Sequence, residues 1–349
     1  MENLTWSVVI PTYKREKVLL ECLRFVAQQT LPAKEIIIVD ASPEWETTRN
    51  IVERELIIKY LQNNWLYVQA EYASSATQRN QGIKLNSADV IFLIDDDSFM
   101  YPNCAKEVVN IYAQDINHKV AGIMPKLEPL PPNFTANSSN SISNPNIKII
   151  AGKLRALAKK IIKDDDIFIP YDFSFPKYSL PSELKVAAHP VPMIHGARMS
   201  YRQEVLQQIQ FNETLRRYAV NEDNDVCYRA SRVGMLLHAL DAQIFHLQDS
   251  NSRLSRFTTT ALWGLNQAVL HRFHNHDIKR FKVIFGKLLW RRLVTQTIKD
   301  ILDLRWSLPS TRGMLFIMRN FDQILSKTPE ELSSWYPEFQ YKIIKLDKN

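Results

Sequence analysis

The chain has 349 residues, 45% of them hydrophobic and 23% charged. That composition excludes a disordered or fibrous protein and leaves room for one large domain or a domain with an appendage. Three widely spaced cysteines (Cys22, Cys104, Cys227) argue against a disulfide framework or a cysteine-type zinc site and fit a reducing cytoplasm. The first residues lack a basic region followed by an apolar stretch, so no signal peptide is expected. No run approaches ~18 apolar residues, so no transmembrane helix is expected either, and the sequons at Asn133 and Asn137 should stay unmodified.

Ser7–Pro11 reads as a short apolar strand, followed by a loop at 12–16. Residues 16–29 carry helical apolar spacing through Val18, Leu19, Cys22, Leu23 and Val26. Glu35–Asp40 is a second buried strand that ends in an acid. A helix near 44–54 and a strand within 57–69 follow, and Thr77–Gly82 leads a short helix into Val90–Ile94. A helix near 102–115 and a strand at 119–124 continue the alternation. This β-α-β-α order predicts an α/β fold with a mostly parallel, helix-covered sheet. Residues 126–192 break it: four prolines stand among many Asn and Ser at 126–148, a basic amphipathic helix follows at 153–163, and 164–192 is irregular. We expect this insert to be a loop on the acceptor side. Order returns at Met193–Arg202, a helix begins after Asn221, and strand segments 235–240 and 242–246 close a domain at 1–250. Three basic, aromatic-bearing helices (about 253–275, 278–303 and 311–326) form an extension at 251–349.

The stretch with most chemical content is Val90–Ser98. Its five apolar residues form a strand buried on both faces, and Asp95, Asp96 and Asp97 stand at its carboxyl end. Buried carboxylates need counter-charge, and the carboxyl ends of strands form the ligand crevice of open α/β sheets. A divalent cation, Mn²⁺ or Mg²⁺, carrying a substrate diphosphate would meet both demands. The alternative is an acidic turn that caps the next helix. Glu222 and Asp223, after Asn221, have the same two readings, since acids in a first helical turn suit the helix dipole. No glycine-rich phosphate loop is present.

The ordered set Val-Val-Ile-Pro-Thr-Tyr-x-Arg, Ile-Ile-Val-Asp-x-Ser, Gln-Arg-Asn-x-Gly, Asp-Asp-Asp-Ser, Gly-Ala-Arg-Met-Ser-Tyr-Arg, Glu-Asp-x-Asp-x-x-x-Arg and a final His strongly resembles the family 2 glycosyltransferases. These are inverting enzymes with the Rossmann-like glycosyltransferase-A fold. The resemblance covers about residues 5–250, apart from 126–192. It implies transfer of a sugar from a nucleoside diphosphate-sugar to an acceptor hydroxyl of a glycan or lipid-linked molecule, in polysaccharide or glycolipid assembly. It assigns donor binding to Pro11, Thr12, Tyr13, Arg15, Asp40, Arg79, Asp95 and Asp96, with Tyr13 stacking on the base and Asp40 accepting from its edge. Asp95 and Asp96 would face the ribose and base side, and Arg79 the phosphate or the acids. It assigns the metal to Asp97 and His246. Asp223 becomes the general base, Glu222 orients the acceptor or the loop, and Gly196 and Ala197 leave room for the acceptor sugar. Arg229 reads as an i,i+4 partner of Asp225.

Two other readings compete. A sugar nucleotidyltransferase would need a glycine-rich loop after the first strand, where this chain has Pro11-Thr12-Tyr13-Lys14-Arg15. A glycosyltransferase-like binding module without chemistry would not need Asp97 and Asp223. The net charge of +7 concentrates in residues 252–320, where thirteen Lys and Arg face three acids, a local charge of +10. Phe281, Ile284, Phe285, Leu288 and Leu289 lie there at helical spacing. We expect peripheral contact with an anionic membrane on its cytoplasmic face, with packing inside the protein or self-association through these helices as the competing reading. No nucleic-acid motif accompanies the charge.

Overall fold

The computed structural model describes residues 3–132, 168–217, 219–248 and 254–346. The basic segment 153–163 and the sequons at Asn133 and Asn137 lie outside the described residues. The chain divides into two compact units, one comprising Met1–Phe134, Phe175–Tyr218 and Glu222–Arg253, the other Thr135–Ser174, Ala219–Asn221 and Leu254–Asn349.

The first unit is built on one sheet of nine strands among the described residues. Strands β1 (Trp6–Thr12), β2 (Glu35–Asp40), β3 (Asn64–Gln69) and β4 (Val90–Ile94) are parallel in the order β3-β2-β1-β4. All of β2 and β4 is buried, as their unbroken apolar runs require. The other half is mixed. Strand β8 (Arg198–Arg202) runs antiparallel to β4 and to β6 (Val120–Glu128). The long β9 (Met235–His246) is parallel to β6, and antiparallel to β5 (Ser98–Met100) and β7 (Ala188–Val191). The expected segments 235–240 and 242–246 are thus one strand, with a register shift against β6 between Pro125 and Lys126. Parallel pairing therefore governs the β3-β2-β1-β4 half, and the fold as a whole is mixed α/β with a helical part at the C-terminus.

Helices α1 (Glu16–Ala27) and α4 (Cys104–Gln114) cover one face with Leu19, Leu23, Val26, Val108 and Ile111 against Ile36, Ile38 and Phe92. Trp6 meets Phe92 edge-to-face at 5.2 Å. Helix α2 (Trp45–Val52) runs on into a π-helical turn at Glu53–Ile57. Helix α3 (Ser75–Leu85) packs on β1, and only a glycine permits that approach. A Cβ at Gly82 would fall 2.2 Å from Val9 Cγ1. Short helix α5 (Gln203–Gln208) and helix α6 (Glu222–Ser231) complete the unit.

The second unit carries four helices among its described residues: α7 (Arg256–His274), α8 (Ile278–Leu302), α9 (Pro309–Leu325) and α10 (Pro329–Leu346). The sequence reading stopped at three. Two prolines mask α10, but its start is a capping box. Thr328 N donates to Glu331 Oε2 at 2.7 Å, and Glu331 N donates back to Thr328 Oγ1 at 3.3 Å. Phe281, Phe285, Leu288 and Leu289 are buried in this unit. The apolar stripe expected to meet a membrane is core instead, because Phe281 and Phe285 stack at 5.0 Å and His271 stacks on Phe281 at 3.6 Å.

His271 is held neutral. Its Nε2 lies 2.9 Å from Ile169 O and its Nδ1 2.9 Å from Asn275 Nδ2, which fixes the Nε2–H tautomer. Burial pulls its pKa from 6.5 to about 3. Between those values the unfolded chain binds the extra proton, so stability is full above the unfolded value and falls as the pH drops through the window. We predict a loss of at most about 1.4 kcal/mol per pH unit in that range. Urea denaturation of wild type and His271→Gln at two pH values inside it checks this. The slope should be shallower in the variant, and equal slopes would contradict the assignment.

Candidate active site

The carboxyl ends of β1, β2 and β4 form one rim. Thr12 ends β1 in register with Asp40 at the end of β2, and Gln78 of α3 ties the two ends together. Its Nε2 donates to Thr12 O at 2.9 Å and to Val39 O at 2.7 Å. Asp40 is buried. It accepts from Ser42 N at 2.7 Å and from the Tyr67 hydroxyl at 2.6 Å, and burial with Asp40 beside it pushes the Tyr67 pKa up. Pro11 lies within β1, and Tyr13 just beyond its end is 41% exposed, with Lys14 Nζ 5.5 Å from its ring centroid. The loop passes through Lys14 at φ 54, where Lys14 N donates to Ser42 Oγ at 2.8 Å.

Asp95–Ser98 is a turn closed by Ser98 N donating to Asp95 O at 3.0 Å. It sends the three acids in different directions. Asp96 turns inward, where it accepts from Thr12 Oγ1 at 2.7 Å and Arg15 Nη1 at 2.6 Å. Burial raises its pKa to about 7 against the pull of Arg15 and Thr12; with Arg15 so close we take it as ionised. Asp97 accepts from Arg15 Nη2 at 2.7 Å, and His246 Nε2 stands 3.1 Å from its other oxygen. Burial pushes Asp97 up, but His246 and Arg15 outweigh it and hold it at about 2. His246 is placed there by β9, in register with Ser98.

Asp95, expected toward the ribose, joins Asp97 and His246 instead. One ligand atom from each lies within 4.8 Å of the others. Two carboxylates and an imidazole fit a divalent cation. A mixed oxygen–nitrogen set suits Mn²⁺ better than Mg²⁺, which prefers oxygen throughout.

Arg79, on α3, joins this cluster to a second one. It is buried and donates to Asp95 Oδ1 at 2.9 Å, to Glu222 Oε1 at 2.5 Å and to Gly196 O at 3.2 Å. Burial would favour its neutral form, but Glu222, Asp95 and Asp223 outweigh that and raise its pKa. Burial in turn raises Glu222, with Arg79 opposing. Asp223 follows on the first turn of α6. Its Oδ2 accepts from Gly196 N at 3.0 Å and its Oδ1 from Asn224 N at 2.9 Å. Gly196 permits that contact, since a Cβ there would lie 2.7 Å from Asp223 Oδ2. The small residue expected to leave room for a sugar thus leaves room for the acid. Asp225 is taken by Arg229 at 2.5 Å, as the i,i+4 spacing predicts. Asn221, at φ 75, donates from Nδ2 to Trp263 O at 2.7 Å.

The model of glycosyl transferase family 2 matches residues 7–210. The chain belongs to that family. The uncharacterized glycosyltransferase YwdF of Bacillus subtilis (strain 168) is 36% identical over 121 residues, which are 34% of this chain and 42% of that protein. The uncharacterized glycosyltransferase YibD of Escherichia coli (strain K12) is 29% identical over 112 residues, 31% of this chain and 30% of that protein. The matched part therefore spans less than half the length of either relative. The crystal structure of S. aureus TarS 1–349 in complex with UDP-GlcNAc superposes with a TM-score of 0.52 at 16% identity, covering 98% of this chain and 89% of that one. That likeness is one of fold.

Three side chains that hold the rim and its neighbours in place, Gln78, Asn80 and Tyr67, carry no marked role in the sequence pattern. Gln78 was read only as part of a motif, and Asn80 likewise. Asn80 accepts from Phe211 N at 2.9 Å and donates to Glu213 Oε1 at 2.8 Å. Tyr67 was not singled out at all. The available signal was the run of three polar residues in a helix that must face a sheet.

Arg79 generates the sharpest stability test. Removing one partner of a buried ion pair costs about 3–5 kcal/mol, because the other charge is left uncompensated. We predict that loss for Arg79→Ala by urea denaturation, partly recovered by adding Glu222→Gln. A loss under about 1 kcal/mol, typical of exposed pairs, would contradict the linking role.

Proposed function

We propose that this protein is an inverting, metal-dependent glycosyltransferase that moves a sugar from a nucleoside diphosphate to the hydroxyl of a glycan or lipid-linked acceptor. One observation carries the reading: a single buried arginine, Arg79, bonds both Asp95 of the Asp95–Asp97–His246 cluster and Gly196, whose N–H holds Asp223. Tyr13 stacks on the nucleobase, and Asp40, with the Tyr67 hydroxyl on its Oδ2, meets the base edge. Asp95, Asp97 and His246 would hold the divalent cation, which when bound offsets the charge growing on the leaving diphosphate. Asp96 does not touch the donor in this reading. It positions Arg15 and Thr12, and Arg15 in turn orients Asp97.

Asp223 takes the proton from the acceptor hydroxyl as its oxygen attacks the anomeric carbon. Glu222 and Asp225 are the alternatives, but each is committed to an arginine at 2.5 Å. Both oxygens of Asp223 accept hydrogen bonds from backbone N–H groups, of Gly196 and Asn224, which hold the carboxylate in place. TarS was crystallised with UDP-GlcNAc, which supports a nucleoside diphosphate-sugar as the class of donor. A sugar nucleotidyltransferase gains no support from this arrangement.

Calorimetry with UDP and GDP tests both halves. Wild type should bind one of them in Mn²⁺ and lose it in EDTA, and Asp97→Ala should lose it in either. Asp223→Asn should bind normally and turn over about 10²–10⁴-fold more slowly. Metal-independent binding, or near-native turnover of Asp223→Asn, would contradict the assignments.

Membrane contact is proposed on a different face from the one expected. Among the described residues no helix is long and apolar enough to cross a membrane. On α8, Val283, Trp290, Val294 and Ile301 are exposed at spacings of seven and four, so they share one face, and Lys287 and Arg291 are exposed beside them. Leu304 and Trp306 are exposed just after it. An apolar stripe flanked by basic residues suits an anionic bilayer surface. The protein should pellet with anionic vesicles at low salt and not at high salt, and Trp290→Ser with Trp306→Ser should abolish pelleting. Equal behaviour of the double variant would remove this face.

A further inference from the structure

Most of the partly and fully buried arginines of the first unit hold acids. Arg15 holds Asp96 and Asp97, Arg79 holds Asp95 and Glu222, Arg202 holds Asp115, and Arg229 holds Asp225. Arg198 is also partly buried. Among the described residues it makes no ion pair, and its one hydrogen bond runs from Nη1 to the carbonyl of Pro125. A guanidinium has five N–H donors in a planar fork that matches a phosphate or carboxylate. Burying that charge without a counter-ion is unfavourable, and the burial alone pulls the Arg198 pKa down to about 10.

The surroundings are basic too. His238 Nε2 is buried and has no hydrogen-bond partner. His189 pairs with His238 across β7 and β9, with ring centroids 5.1 Å apart. Arg198, His189, His195 and Lys126 all act on His238 and, with burial as the largest cause, lower its pKa. Glu128, an acid on the same strand as Lys126, is already committed to Lys126 at 2.8 Å and to Gln243 at 2.8 Å.

The place is as informative as the charge. Arg198 opens β8 in register with Ile94, the residue before Asp95. It closes a turn by donating its backbone N–H to His195 O at 3.0 Å, and Gly196 within that turn holds Asp223. One four-residue turn thus carries both the contact to the proposed base and the uncompensated cation.

We propose that Arg198 and His238 form an oxyanion subsite that receives a phosphate or carboxylate carried by the acceptor. This rests on Asp223 as base: the molecule that presents its hydroxyl to Asp223 lies along the turn that carries Arg198. The donor diphosphate would be met instead by the divalent cation that Asp95, Asp97 and His246 would hold. The acceptor is therefore an anionic molecule, and Arg198 sets the distance between its charge and its reacting hydroxyl.

Histidine-ring NMR of the full chain tests this, with inorganic phosphate as probe at constant ionic strength. The His238 signals are identified by their loss in His238→Gln. They should shift saturably with phosphate in wild type. Arg198→Gln should weaken phosphate binding roughly tenfold or more, the size of one charge-assisted hydrogen bond, while its melting temperature and its affinity for UDP or GDP with Mn²⁺ stay as in wild type. Prior saturation with the nucleotide and Mn²⁺ should leave phosphate binding unchanged. Competition by the nucleotide would assign the subsite to the donor and overturn the acceptor proposal. Unchanged phosphate affinity in Arg198→Gln, or no saturable shift, would mean an adventitious ion only. Loss of nucleotide binding in wild type would instead count against the glycosyltransferase reading, whatever phosphate does.

Discussion

Carboxylates can gather at the end of a buried strand only if cations are buried with them. Here Arg79 is the cation on which most depends. It reaches Asp95 at the end of β4, Glu222 at the start of α6 and the carbonyl of Gly196 before β8. These three come from parts of the chain far apart in sequence. In a low-dielectric setting the two carboxylates would repel each other strongly. One guanidinium converts that repulsion into a link that fixes where the helix carrying Asp223 begins relative to the acids after β4. Arg15 does the same work locally for Asp96 and Asp97.

The link has a price in packing. Arg79 must lie on a helix that fits tightly against the sheet, so α3 carries Gly82 over Val9 and gives buried positions to Gln78, Arg79 and Asn80. Each of the three bonds backbone groups or charges of other elements: the ends of β1 and β2, the two acid clusters, and the segment at Phe211. A helix with a polar buried face gains little from apolar burial. Its stability rests on these hydrogen bonds being complete.

Much of this was legible beforehand. The runs Ile36–Val39 and Val90–Ile94 could only be buried strands, and the acids at their ends marked the rim. The motif order located Asp97, His246 and Asp223, and the structure brings the first two together and leaves the third on Gly196. What could not be read was direction. Three consecutive Asp offer no clue to which one turns inward, because the turn at Asp95–Ser98 decides it. The role of Gly196 was hidden for the same reason: its missing side chain serves Asp223, whose position is set by a helix some residues further on. In the C-terminal helices, Phe281, Phe285 and Leu289 lie at a spacing that fits lipid and protein core alike, and only the aromatic stack with His271 separates them. The last helix was lost to its prolines, although its capping box was present in the sequence.

The central claim is the proposed single in-line displacement between the Asp95–Asp97–His246 cluster and Asp223. The stereochemistry of donor hydrolysis tests it without a known acceptor, since water can take the acceptor's place. An α-linked nucleoside diphosphate-sugar that binds with Mn²⁺ is incubated at high enzyme concentration, and the sugar first released is followed by proton NMR before it mutarotates. The account predicts the β-anomer as the initial product. Release of the α-anomer first would require two displacements or front-face attack, and would contradict it.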